Sequence, residues 1–334
     1  MITPPLRIVP LSFAGVAFCL LATCHCLAAE PDAVKEPPTP ESLLKTLDPF
    51  YKQHTVAGDL LIVCSEKVSK HALMEARHLA ENMLAKRPDV LKALNDRRMY
   101  FCVMAYTEMQ NDLPECRNMS DWWAYRCRGV GGKASSCGEE NLLCFDGDPW
   151  KGENIFIHEF AHAIQGIIGS LDEDFNDRFG AEFKKAKESG CMRGYCINGG
   201  SPEFWAEGVQ AWFNCNGAIR PKSGGGQSSF EFVGPDGEHV CHLRTREDVK
   251  KYLPEYAKLL DDTFRGNEWT YVPVAKRLDQ PHLRGYDPSK APTFSFPPEV
   301  VEFFDREEAR RAAEKAKREA ERKKREAEEK NKSK

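Results

Sequence analysis

The chain predicts an α+β fold, held by disulfides and closed by a charged C-terminal helix, on three observations. An apolar run, a helical stripe and a second apolar run follow one another between Gly58 and Tyr106. Two strongly apolar helices then occupy residues around 154–168 and 202–213. Thirteen cysteines lie in 334 residues, ten of them beyond an N-terminal leader, which favours disulfides in an oxidising compartment. At 41 % hydrophobic and 29 % charged, the chain can bury a substantial core. Its 47 basic and 51 acidic residues give no positive field, so nucleic acid is not an expected partner.

Residues 1–29 read as a signal peptide. Arg7 precedes the uncharged run Leu11 to Leu27, and Ala28 and Ala29 supply the small residues a signal peptidase requires. The apolar stretch is short for a bilayer anchor, and Thr23 is a poor residue before a lipoprotein cysteine at Cys24. No later stretch reaches membrane length, so the mature chain is expected outside the cytoplasm without a transmembrane segment. Residues 30–57 read as a Pro-rich linker and a short helix.

The domain proper is expected over 58–304. Gly58 to Cys64 reads as a buried strand, His71 to Leu94 as a helix with Leu73, Ala76, Leu79, Ala80, Met83 and Leu84 on one stripe, and Met99 to Tyr106 as a second buried strand. Residues 110–150 are irregular and cysteine-bearing, leading into short strands around Asn141 to Phe145. Cys64 with Cys102, and Cys191 with Cys196, are plausible disulfide pairs. A structural zinc site fits the cysteines less well, because no pair has the C-x2-C spacing. Ser223 to Ser229 reads as a Gly-rich loop, and Arg246 to Phe264 as an amphipathic helix split by Pro254. The tail 305–334 holds thirteen basic and nine acidic residues without one large apolar side chain or a heptad seam, so it is expected to be a solvated helix or disordered.

Ile155 to Ile164 carries the chemistry. On a helix, His158 and His162 lie one turn apart on one face, where two imidazoles can converge on Zn²⁺. Glu159, between them, is placed to hydrogen-bond a water on the metal and remove its proton. A second helix opens at Ser201 and Pro202, a suitable N-cap and first residue. It presents Glu203 and Glu207 on one face. Either carboxylate can complete a His₂Glu set, and the other can support a ligand histidine through its remaining ring nitrogen.

The sequence His158-Glu159-Phe160-Ala161-His162-Ala163, followed by Glu203-Phe204-Trp205-Ala206-Glu207, resembles the lethal-factor-like zinc metallopeptidases, including the catalytic domain of anthrax lethal factor. The likeness covers roughly Gly58 to Phe264. It implies a zincin-like domain in which Glu203 is the third ligand and Glu207 supports a ligand histidine. It also implies a tyrosine shortly before the ligand glutamate that polarises the scissile carbonyl, for which Tyr195 is the nearby candidate. The toxin's receptor-binding and docking parts have no counterpart here, so toxin activity is not implied. The expected function is zinc-dependent hydrolysis of a peptide or protein substrate with Glu159 as general base. The alternatives are a binding protein with a vestigial metal site and a zinc amidase acting on non-protein substrates.

Overall fold

The apolar run Leu60–Cys64 becomes a strand in which every residue is buried, which suits a position inside a sheet rather than at its edge. The computed structural model describes residues 38–217, 230–234, 237 and 240–332. The leader 1–29, linker residues 30–37 and the loop 223–229 lie outside the described residues.

A short helix α1 (Pro40–Leu44) precedes a five-stranded sheet. Its strands are β1 (Gln53–Ala57), β2 (Leu60–Cys64), β3 (Tyr100–Met104), β4 (Gly129–Val130) and β5 (Ala134–Gly138), ordered β1-β2-β3-β5-β4. The inner pairs β2/β3 and β3/β5 are parallel, whereas β1 and β4 are antiparallel edges. Strand β1 lies where a linker and short helix were expected, because the Gly58 turn lets Gln53–Ala57 fold back on β2. Helices α2 (Lys70–Met83) and α3 (Pro88–Asp96) replace the single helix expected over 71–94. The break falls at Pro88, which removes a backbone donor and starts the second helix at its first position. Together they form the crossover between β2 and β3, packing on one face of the sheet with Ile62, Cys64, Phe101 and Val103. Leu61, Val63, Tyr100, Cys102 and Met104 cover the other face with Leu43 and Tyr51.

This pleat overturns the expected Cys64–Cys102 disulfide. Cys102 is paired with Val63 and Cys64 with Val103, so the two thiols point to opposite faces of the sheet. Cys191 and Cys196 are likewise unbridged: the first sulfur contacts Ser189 Oγ at 2.9 Å and the second the Arg193 carbonyl at 3.4 Å. All ten described cysteines are free thiols, so the disulfides expected from their number are absent among the described residues.

Beyond β3, helix α4 (Asp121–Arg126) leads into β4, and the short strands expected near Asn141 are instead helix α5 (Glu139–Leu142). Helices α6 (Ile155–Ile168), α7 (Phe175–Ser189), α8 (Tyr195–Asn198) and α9 (Ser201–Trp212) follow, with a small antiparallel sheet of β6 (Met192–Arg193), β7 (Glu231–Val233) and β8 (Val240–His242). As the sequence predicted, Pro254 divides the next stretch into α10 (Arg246–Tyr252) and α11 (Pro254–Thr263). The architecture is therefore mixed α+β.

The last helix, α12 (Pro298–Lys332), starts before the boundary expected at 304. Its first two turns are attached to the body. Val300 is buried, Phe303 meets the Tyr125 ring and Phe304 the Trp122 ring of α4. Two turns further, Arg311 lies over Trp122 at 3.9 Å. No helix among the described residues is long and apolar enough to cross a membrane.

Candidate active site

Asn154 caps α6 by accepting a hydrogen bond from Ile157 N, and the helix runs buried beneath the sheet with Phe156 and Phe160 against Phe101. That packing leaves His158 and His162 on the face turned to a cavity of about 870 Å³, which Tyr195, Glu203 and Glu207 also line. Helix α9 crosses alongside, tied to α6 where Trp205 Nε1 donates to the Ala161 carbonyl at 2.8 Å and Gln210 Nε2 to the Asn154 carbonyl at 3.2 Å.

The Nε2 atoms of His158 and His162 are 3.3 Å apart. The Glu203 carboxylate reaches both, at 3.3 Å from His158 and 3.7 Å from His162. The Glu159 carboxylate also belongs to this group: its oxygen and one nitrogen of each histidine lie within 4.8 Å of one another. Around a tetrahedral zinc with bonds of about 2.0–2.2 Å, neighbouring donors are about 3.3–3.5 Å apart. His158 has that separation from both His162 and Glu203, and the His162–Glu203 pair is only slightly wider, so this donor set fits zinc. Their side chains keep 14–19 % of their surface exposed to the cavity, leaving an approach for water or substrate.

Electrostatics bind the four groups into one unit. Burial disfavours a charged His158, but its hydrogen bond to Glu203 and the charges of Glu159, Glu203 and Glu207 outweigh burial and raise its pKa to about 10. Burial, reinforced by His158, lowers His162 to about 4. Glu203 is held below the usual carboxylate range: burial opposes this, yet the His158 hydrogen bond and the two imidazoles prevail. Burial pushes Glu159 up to about 7.

One supporting group was not expected from the sequence. The partner of His158 Nδ1 is Gln210, whose Oε1 lies 2.8 Å away and whose Nε2 is committed to Asn154. That network fixes the amide orientation and makes His158 Nδ1 the donor, leaving Nε2 facing the site. Glu207 is fully buried on the same helical face, lines the cavity and accepts from Asn216 Nδ2 at 2.9 Å. Gln210 was missed because an amide has no metal chemistry of its own, although 203, 207 and 210 follow one helical face. Tyr195 opens α8 on the cavity rim, 39 % exposed.

Strand β4 forms the opposite wall. Gly131, just beyond it, approaches so closely that a Cβ there would meet His162 Cβ at 2.7 Å, and one at Gly129 would meet Glu159 Cγ at 2.9 Å. The strand is held in place by Arg128, wholly buried and paired with Glu140 through contacts of 2.6 and 2.9 Å.

No family profile matches the chain, and no curated protein matches it. Among solved structures it is similar to the Pro-Pro endopeptidase PPEP-2 from Paenibacillus alvei, at 16 % identity and a TM-score of 0.38, over 60 % of this chain and 96 % of that one.

Proposed function

We propose that this protein is an exported zinc metallopeptidase. The observation that carries the reading is the convergence of His158 Nε2, His162 Nε2 and the Glu203 carboxylate within 3.3–3.7 Å, with Glu159 beside them in an open cleft. His158, His162 and Glu203 hold the metal, and Gln210 orients His158. Zinc in such a site supplies Lewis acidity toward a carbonyl and acidifies water. Glu159 accepts the proton of the attacking water and returns it to the leaving amine. The Tyr195 hydroxyl, on the rim, donates to the oxygen on which charge develops. The uncharged leader over 11–27 supports export, and a mature chain beginning near Glu30 is the expected N-terminal sequence.

The test is zinc content and peptide turnover measured on the parent and on Glu159→Gln. The parent is expected to hold close to one zinc, to cleave a degenerate peptide library and to stop when a chelator is added. The amide variant keeps the metal and loses roughly 10²–10⁴-fold in rate. A zinc-loaded parent that cleaves no peptide overturns the peptidase reading, and unchanged turnover in Glu159→Gln overturns the role of Glu159.

A further inference from the structure

Helix α4 ends in Arg126, which lines the same cavity as Tyr195 and the zinc-site residues. Its guanidinium carbon lies 5.8 Å from the centre of the Trp122 ring and 5.5 Å from that of Trp123. No carboxylate among the described residues is in ion-pair range of it. Arg128, two residues on, also lines the cavity, but its guanidinium is wholly buried and consumed by Glu140. Among the acids of the cleft, Glu203 faces the two histidines, Glu159 stands beside them and Glu207 accepts from Asn216. Arg126 is therefore a cation on the wall of a peptide-sized cleft, seated on aromatic rings and not paired with a carboxylate among the described residues.

We infer that Arg126 is a specificity-determining residue that binds a carboxylate of the substrate, carried by an Asp or Glu side chain near the scissile bond or by the peptide's own C-terminus. The inference rests on the peptidase reading for its substrate class. A guanidinium presents a rigid fork of donors that matches a carboxylate in two parallel hydrogen bonds. Contact with the Trp122 and Trp123 rings restricts the side chain beforehand, so less freedom is lost when the acid docks. Trp123, 49 % exposed beside it, offers apolar surface to the stem of the same substrate residue.

Two measurements test this. In the first, the zinc-loaded parent, Arg126→Ala and Arg126→Glu cleave a degenerate peptide library synthesised with free and with amidated C-termini. In the second, zinc-loaded Glu159→Gln, with and without Arg126→Ala, captures peptides from the same libraries without turnover. The expected result is enrichment of acidic peptides by the parent and a roughly ten-fold or greater rise in KM for them in Arg126→Ala, with kcat little changed. Arg126→Glu is expected to shift the preference toward Lys and Arg. Loss of the preference on amidation assigns the carboxylate to the C-terminus, and its persistence assigns it to a side chain. The inference is overturned if Arg126→Ala cleaves or captures the parent's set of peptides, or if the zinc-loaded protein captures none. If acidic peptides are captured through Arg126 but never cleaved, the peptidase reading falls and the carboxylate site stands.

Discussion

His158 is oriented toward the proposed metal site by a partner that carries no charge and no metal chemistry. Gln210 accepts from Nδ1 and is itself fixed by its donation to Asn154, so the imidazole is held in one tautomer and one orientation. Gln210→Ala is expected to lower zinc affinity about 10–100-fold while the fold persists, as chelator competition and circular dichroism will show. An equal loss in Glu207→Ala with none in Gln210→Ala would reverse the two roles. The histidines and Glu159 were legible in the sequence because a helix turns separation by four residues into shared direction. Ranking Glu203 above Glu207 required the family resemblance, and finding Gln210 required knowing which face of α9 meets α6.

Packing between elements sets the shape of the cleft. Strand β4 can lie against α6 only because Gly131 has no side chain: an added methyl would stand 2.7–2.9 Å from three carbons of His162. Gly131→Ala is expected to cost about 1–3 kcal/mol by overpacking and to weaken zinc retention, both readable from thermal melts with and without metal. Elsewhere α2 is clamped to the segment following residue 271. Buried Glu75 pairs with Arg277 and with His282 Nε2 at 2.8 Å, and His78 stacks on His282 with ring centres 4.1 Å apart. Burial lowers His78 to about 4, with His282 and Arg277 adding to that effect and Glu75 and Glu81 opposing it. A histidine with a depressed folded-state pKa contributes stability above its unfolded value near 6.5, and that contribution is lost as pH falls toward 4. Urea melts between pH 7 and pH 4.5 are expected to show this decline, and His78→Phe, which keeps the stack without the titration, to flatten it. The break at Pro254 was legible because the residues around it keep helical periodicity, whereas β1 was not, since Gln53, His54 and Thr55 read as loop until β2 pairs with them. The Cys64–Cys102 pairing failed for a related reason. A register differing by one residue moves a side chain to the other face of the sheet, and no local pattern records it.

For the whole molecule, the body and its last helix join over very few side chains. Val300, Phe303 and Phe304 precede residue 305, and beyond them Arg311 adds its contact with Trp122. Deleting 305–334 is expected to leave the melting temperature nearly unchanged, while Phe303→Ala with Phe304→Ala costs roughly 1–3 kcal/mol in denaturant melts. A large loss from the deletion alone would show that the charged turns bind the body. The charged tail was legible from composition, but its starting point was not, because the Phe303 and Phe304 anchor sits within what reads as the end of the domain. Helix α4 stands between the two parts, giving Trp122 and Tyr125 to α12 and Trp123 and Arg126 to the cleft. A 35-residue helix spans about 50 Å, so α12 is a lever whose short arm is fixed to the cleft wall. Tethering its far end to a bead or an antibody is expected to alter KM for peptides that touch α4 and to spare zinc content, making the outer helix a handle on substrate choice.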